Sequence, residues 1–350
     1  MKVAVYSYEK FDDQHLGPAL KAHVGDDNVK LIPVRLAADT AELAAGCVAV
    51  CMFVNDKADT PCIEILARLG VKFLLLRSAG FNHVDLPAAE AAGISVRRVP
   101  AYSPYAVAEH GVGLLMALVR KIPKAYNRVR EHNFSISGLE GFDIHGKTIG
   151  IVGTGKIGTI CAKILNGFSP ARLIGYDVYE SDEAKKLGLE YTSLDEVLTQ
   201  SDIISLHLPL LPDTYHVIGK ENIAKMKKGV VIINVSRGAL VDAVAVQEAL
   251  KSGQIGGLGM DVYENEQSYF FSDCSDQVLT DDVLANLLTF PNVIITAHQA
   301  FLTKEALETI ASTTLQNLKD AIAGASSDNE CKARSKFAAS PSPTTTTKTN

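Results

Sequence analysis

Short apolar runs recur along almost the whole chain, with longer stretches of helical spacing between them. They fall at residues 3–7, 48–54, 71–78, 94–100, 148–153, 172–177, 202–209, 230–236, 258–263 and 292–298. Each has the length of a strand, and several, such as VKFLLLRS and VVIINVS, are apolar on both faces. A strand with no polar face must be covered on both sides, and helices do that in parallel sheets. Strand-then-helix alternation therefore predicts an α/β fold built on parallel sheets.

The chain has 350 residues, more than one core usually accommodates, and more strand candidates than one doubly wound sheet comfortably holds. A long helical pattern from about Tyr105 to Asn133, with Ser103 and Pro104 suited to its start, places a first crossing between domains near Tyr102. The last strand candidate, NVIITAH, precedes a helical stretch long enough to return to the first domain. One domain is then discontinuous, 1–101 with 299–330, and the other runs from 102 to 298. The ligand crevice is expected between them, at the carboxyl ends of the strands. The end, SSDNECKARSKFAASPSPTTTTKTN (326–350), is poor in large apolar side chains and ends in Pro and Thr, so it reads as a disordered tail, with the domain bounded at 330 and 331–350 wholly outside it.

The composition narrows the partners. A formal net charge of -6 argues against nucleic acid or an anionic membrane surface. The 6 cysteines form no C-x-x-C pair and no zinc spacing, so no metal is expected. MKVAVYSY opens the chain as a strand rather than a signal peptide, and no apolar run reaches the ~18–20 residues that span a bilayer. A cytoplasmic protein with reduced thiols is the expectation.

The most specific local motif is TIGIVGTGKIGTICAKIL, in which Gly153, Gly155 and Gly158 have G-x-G-x-x-G spacing between a strand and a helix. The first glycine permits a tight turn, the second lets a pyrophosphate approach the backbone, and the third lets helix and strand pack closely. The helix start then offers free N–H groups to the phosphates. Asp177 ends the next strand, where a carboxylate accepts hydrogen bonds from a ribose diol and repels a 2′-phosphate. No cation follows it in Val178–Tyr179, so NAD is favoured over NADP. An incidental glycine turn is the bland alternative, and the order strand, glycines, helix, acid argues against it.

Arg237, Glu266 and His298 stand at or just past strand ends, where doubly wound sheets place their ligands. Keto reduction needs a proton for the developing alkoxide, which histidine supplies near neutrality. A carboxylate orients the imidazole, and a guanidinium grips a substrate carboxylate. Each residue alone has an ordinary structural reading, as surface charges or a hydrogen-bonded strand-end histidine. Glu109 and His110 suit a core or interface role in the long helix, His207 a packing or positioning role, and His83 a loop. Tyr102 lies at the domain crossing, and the backbone of Arg77–Gly80 suits an anion.

The segments RSAGFNHVDL, YSPYAVAEH, VGTGKIG, HLPLLPDTYHVIG, INVSRGALVD, GMDVYENE and TAHQAFLT together resemble the successive motifs of the D-2-hydroxyacid dehydrogenases, nearest to the fermentative D-lactate branch. The resemblance covers Lys2 to Gly324. It implies two doubly wound parallel-sheet domains, a Rossmann NAD domain inserted into a flavodoxin-like substrate domain, and a dimer or dimer of dimers built on the long helix. It implies pyruvate reduction to the D-2-hydroxy acid, with His298 as acid/base, Glu266 orienting it and Arg237 binding the substrate carboxylate. Ala79, Gly80 and Tyr102 would then contact substrate. Ile157, Gly158, Asp177, Leu208, Pro209, Thr214, Val235, Ser236, Arg237 and Asp261 fall where the family touches NAD. Other 2-keto acids, such as glyoxylate, hydroxypyruvate or bulkier ones, remain open, as does an NAD-sensing binding protein of the same fold.

Overall fold

A computed structural model describes residues 1–333. The strands are β1 (Val3–Val5), β2 (Val29–Leu31), β3 (Ala49–Met52), β4 (Phe73–Leu76), β5 (Ser95–Arg97), β6 (Thr148–Val152), β7 (Arg172–Tyr176), β8 (Glu190–Tyr191), β9 (Ile203–Leu206), β10 (Val230–Asn234), β11 (Ile255–Met260), β12 (Val293–Ile295) and β13 (Glu330–Cys331). The α-helices are α1 (Leu16–Val24), α2 (Thr60–Arg68), α3 (Leu86–Ala91), α4 (Pro104–Val119), α5 (Ile122–Arg130), α6 (Lys156–Asn166), α7 (Asp182–Lys186), α8 (Leu194–Gln200), α9 (Lys220–Lys225), α10 (Ala243–Ser252), α11 (Asp282–Thr289) and α12 (Lys304–Ile322). They form two compact units, Met1–Ser103 with the chain from Thr303 onward, and Pro104–Leu302. No helix among the described residues is long and apolar enough to cross a membrane.

The first unit has a sheet of order β13-β5-β4-β3-β1-β2, parallel except for β13. The order β2-β1-β3-β4-β5 is the flavodoxin-like doubly wound one. The central strands β1, β3 and β4 are apolar at every position because both faces are covered. Ala4, Val50, Met52, Leu74 and Leu76 pack with Ile63 and Leu66 of α2, whereas Val3, Val5, Ala49, Cys51 and Leu75 pack with Leu16 and Leu20 of α1 and Leu318 of α12. The period of two along each strand sorts alternate residues into the two layers.

The second unit has the parallel sheet β12-β11-β10-β9-β6-β7-β8. Chain order runs outward in opposite directions from β6, through β7 and β8 on one side and from β9 on the other. The gap between β6 and β9 is therefore the topological switch point, where such sheets bind ligands. A large core, with Ile204, Leu206, Ile232, Leu240 and Leu258 at its centre, underlies it.

Two expectations need correction. The single long helix over 105–133 is two helices, because Lys121 adopts a left-handed φ of 53° and Pro123 opens α5. A proline removes one helical hydrogen bond and clashes with the preceding turn, so it starts a helix better than it continues one. The unstructured stretch expected after the last helix also forms order up to Cys331. Here the anchors are polar, which an apolar count does not see. Arg97 Nη2 donates to Ala325 O at 2.7 Å, and Asn317 Nδ2 donates to Arg98 O at 2.8 Å. Arg98 N–H donates to Asn329 O at 3.0 Å, and Glu330–Cys331 then pair antiparallel with β5. The rest of the expected tail, 334–350, lies outside the described residues.

Candidate active site

Strands β10, β11 and β12 end side by side, and their pairing continues a step beyond them. The Asp261 N–H donates to Asn234 O at 3.0 Å, the Thr296 N–H to Met260 O at 2.8 Å, and the His298 N–H to Asp261 O at 2.6 Å. The segments leaving these three carboxyl ends carry Arg237, Glu266 and His298.

His298 and Glu266 meet: Nδ1 lies 2.7 Å from Oε1. The second carboxylate oxygen, Oε2, accepts the Tyr263 N–H at 2.9 Å, which fixes the plane of the carboxylate. An acceptor on Nδ1 places a proton there and leaves Nε2 as the nitrogen that exchanges a proton with a ligand. The Phe271 ring lies 5.9 Å from the imidazole at 39°, an apolar wall beside it.

The backbone of His298 has φ 52°, in the left-handed region that a side-chain-bearing residue occupies only under constraint. Asp261 supplies that constraint. Its carboxylate, 1% exposed, accepts from Thr296 Oγ1 at 2.6 Å and from the Gln299 and Ala300 N–H groups at 2.9 and 2.8 Å. Burial alone would raise this carboxyl, but hydrogen bonds from His110, Thr296, Ala300 and Gln299 outweigh it and hold it below its ordinary value. The Thr296 hydroxyl gives its one proton to Asp261, so the His110 Nε2 that lies 3.0 Å from Thr296 Oγ1 carries the proton of that contact. Asp261, expected among the cofactor contacts, thus holds the 296–300 turn with both oxygens.

Arg237 follows β10 by way of Val235 and Ser236. Its carbonyl accepts from Asn234 Nδ2 at 2.8 Å, and its Nη1 donates to Ser236 O at 2.7 Å. The Ser236 hydroxyl donates to Leu208 O at 2.5 Å, which ties this segment to the end of β9. Gly238 sets how close the next segment comes. A Cβ there would lie 2.1 Å from the carbonyl carbon of Tyr263, so only glycine allows the Arg237 and Glu266 loops to touch backbone to backbone.

The glycine motif sits at the switch point. Gly153, at φ +97°, lies against the His207 carbonyl, where a Cβ would approach to 2.6 Å, and a Cβ on Gly158 would come within 1.9 Å of the Gly153 carbonyl oxygen. Gly155 differs: a Cβ there would meet nothing within 4 Å. It caps α6 without a side-chain acceptor, so the helix start keeps backbone N–H groups for an anion. This open space beside free donors fits a dinucleotide pyrophosphate. Asp177 Oδ2 accepts the Thr154 N–H at 2.6 Å and Oδ1 the Tyr179 N–H at 3.1 Å, so the acid also shapes the glycine loop. Ile157 is half-buried at the start of α6, and Leu208 and Val235 are buried. Thr214 Oγ1 donates to Pro209 O at 2.7 Å and closes the loop after β9. His207 bonds Ser205 Oγ through Nε2 at 2.9 Å, and burial pushes its imidazole down to about 4.

In the first unit, Ala79 and Gly80 follow β4. Arg98 Nη1 donates to Ala79 O at 2.8 Å and Ser78 Oγ to Gly80 O at 2.8 Å, so this turn is held by its carbonyls. Tyr102 is half-buried near the end of that unit's first segment. The Arg77 side chain points into the core, with Nη1 2.6 Å from Asp12 Oδ2. Cysteine chemistry is absent from this arrangement: burial pushes Cys51, Cys62 and Cys161 up to about 12, far from thiolate formation near neutrality.

Sequence reasoning did not single out Phe271, Thr296 or the anchoring role of Asp261. Phe271 lies in an aperiodic stretch, and Thr296 is an ordinary strand-end residue until its partner is seen.

The chain is similar to known proteins along most of its length. Residues 112–300 match the D-isomer specific 2-hydroxyacid dehydrogenase, NAD binding domain. The D-lactate dehydrogenase of Escherichia coli (strain K12) is 49% identical over 330 residues, 94% of this chain and 99% of that protein. The solved structure of the pyruvate reductase of Chlamydomonas reinhardtii has a TM-score of 0.88 at 44% identity, over 94% of this chain and 98% of that one. The D-lactate dehydrogenase of Aquifex aeolicus, solved with NAD and lactic acid, has a TM-score of 0.81 at 34% identity, over 92% and 96%. Likeness of this extent spans both units and not the cofactor domain alone, and the chain belongs to the D-isomer specific 2-hydroxyacid dehydrogenase family.

Proposed function

We propose that this protein is an NAD-dependent D-lactate dehydrogenase that interconverts pyruvate and D-lactate, with His298 as acid/base, Glu266 orienting it and Arg237 binding the substrate carboxylate. The observation that carries the reading is the 2.7 Å contact between His298 Nδ1 and Glu266 Oε1, on loops next to the one that bears Arg237. Bound NADH supplies the hydride. His298 delivers a proton from Nε2 to the developing alkoxide, and Glu266 keeps the ring turned for that transfer. Arg237 offers two parallel N–H donors to the carboxylate, a geometry a lysine does not match. Ala79, Gly80 and Tyr102 are proposed as further substrate contacts. Gly153, Gly155, Ile157, Gly158, Asp177, Leu208, Pro209, Thr214, Val235, Ser236 and Asp261 form the proposed cofactor set, the last by holding the turn that bears His298.

A homodimer or dimer of dimers is supported by α5, which exposes Ile122, Tyr126 and Val129 along one stripe, with Phe134 and Ile136 exposed after it. The cysteines, all unpaired, suit the cytoplasm. The test is NADH oxidation at 340 nm over a panel of 2-keto acids, with chiral analysis of the product. Preferred turnover of pyruvate to D-lactate is the expected result. Preference for a bulkier acid moves the substrate, and tight NADH binding without turnover defeats the enzyme reading.

A further inference from the structure

The segment 215–218, after β9, carries a histidine that the mechanism above does not use. Its backbone is laced to the segment that follows Arg237: the His216 N–H donates to Ala239 O at 2.9 Å, the Ile218 N–H to Leu240 O at 2.9 Å, and the Asp242 N–H to Ile218 O at 3.0 Å. Its side chain goes elsewhere. His216 Nε2 lies 2.8 Å from Glu264 Oε1, two residues before Glu266, and the same oxygen accepts from Tyr215 Oη at 3.2 Å. The imidazole is stacked on the Tyr215 ring, with centroids 3.9 Å apart at 16°, and its Nδ1 is 3.9 Å from Asp242 Oδ2. His216 has φ 51°, a strained backbone for a residue with a side chain.

We infer that His216 is a positioning residue that clamps the loop carrying Arg237 to the loop carrying Glu266. One residue grips both: the backbone holds 239, and the ring holds 264. The Gly238–Tyr263 contact lets the two loops approach, and the His216–Glu264 bond holds them in register at the other edge of that contact. Glu264 itself reaches no reacting group in this scheme. The strained φ is what turns the ring toward the second loop while the N–H stays on the first.

The inference rests on the dehydrogenase reading for its kinetic test and stands apart from it in a second test. His216→Ala is expected to lower kcat/KM for the preferred 2-keto acid by about tenfold or more, since misplacing a catalytic group by ~1 Å costs up to about a hundredfold. Glu264→Ala is expected to match it, and the double variant to be no worse than either single, because both remove one contact. His216→Gln, with a side-chain amide N–H for the same carboxylate, is expected to recover most of the loss. Independently of turnover, His216→Ala is expected to speed backbone hydrogen exchange in 237–242 and 263–268 and to leave β6 and β7 unchanged. Additive losses in the double variant, no recovery with glutamine, or unchanged exchange in both segments overturns the clamp. A wild-type protein that reduces no 2-keto acid defeats the dehydrogenase reading instead, and the exchange measurement still decides the clamp.

Discussion

Gly238→Ala probes the contact on which the proposed catalytic geometry rests. The added methyl would sit 2.1 Å from the Tyr263 carbonyl carbon, 2.3 Å from its oxygen and 2.4 Å from the Glu264 nitrogen. Ordinary carbon contacts need about 3.5 Å, so the two backbones must part by more than about 1 Å. Both obstacles are main chain, which has no rotamer by which to step aside. The shift passes directly to Arg237 on one loop and to Glu266, hence His298, on the other. Overpacking of this kind costs roughly 1–3 kcal/mol of stability, too little to unfold a protein whose total is about 5–15 kcal/mol. The folded variant is then expected to lose about a hundredfold in kcat/KM, the scale of a ~1 Å misplacement. Steady-state NADH oxidation with pyruvate at 25 °C, with thermal unfolding followed by circular dichroism, measures both quantities. A folded Gly238→Ala protein with kcat/KM within about threefold of wild type would refute the argument that this approach sets the alignment of the catalytic groups.

Gly155→Ala is expected to leave the unfolding temperature unchanged, since its Cβ meets nothing, and to weaken NADH binding in a fluorescence titration; unchanged affinity would remove the pyrophosphate from that space. His298→Ala is expected to lose about 10²–10⁴ in turnover while still binding NADH, and an active variant would end the acid/base assignment. His207 gives a pH dependence. Its folded value of about 4 lies below the ordinary 6.5, so the stability it contributes is complete above pH 6.5 and is lost as pH falls toward 4. From pH 7 to 4.5 urea unfolding of His207→Gln should lose about 2 kcal/mol less than wild type, and parallel losses in the two proteins would contradict this.

Much of this architecture is written in residue pattern because two-sided burial leaves a strong trace. Strands such as FLLL, and VVIIN up to its final Asn234, have no polar face, and they are visible in the sequence for the reason that they are covered in the fold. The strands β2, β8 and β13 leave no such trace: VKL, EY and EC are short, lie at sheet edges and, Cys331 apart, are partly or wholly exposed, so no apolar run marks them. The site divides the same way. Gly153, Gly155, Gly158 and Asp177 fall in a fixed local order, and Arg237 and His298 stand at strand ends, so spacing along the chain reveals them. The grip of Asp261 on Thr296, Gln299 and Ala300, and that of His216 on Glu264, join residues more than thirty positions apart. No local pattern encodes such pairs, because the sheet order that brings them together is a property of the whole unit.

The interruption of the first unit by the second bears on how synthesis and folding are ordered. All residues of the second unit are in place once Leu302 has left the ribosome, and its seven strands need nothing that comes later. The first unit is made earlier yet completed last. Until α12 emerges, the face of its sheet that carries Val3, Val5, Ala49 and Leu75 lacks Leu318 and Ala311, and stays partly bare to water. The oldest part of the nascent chain must therefore wait for the newest, with apolar surface open to chaperones in the interval.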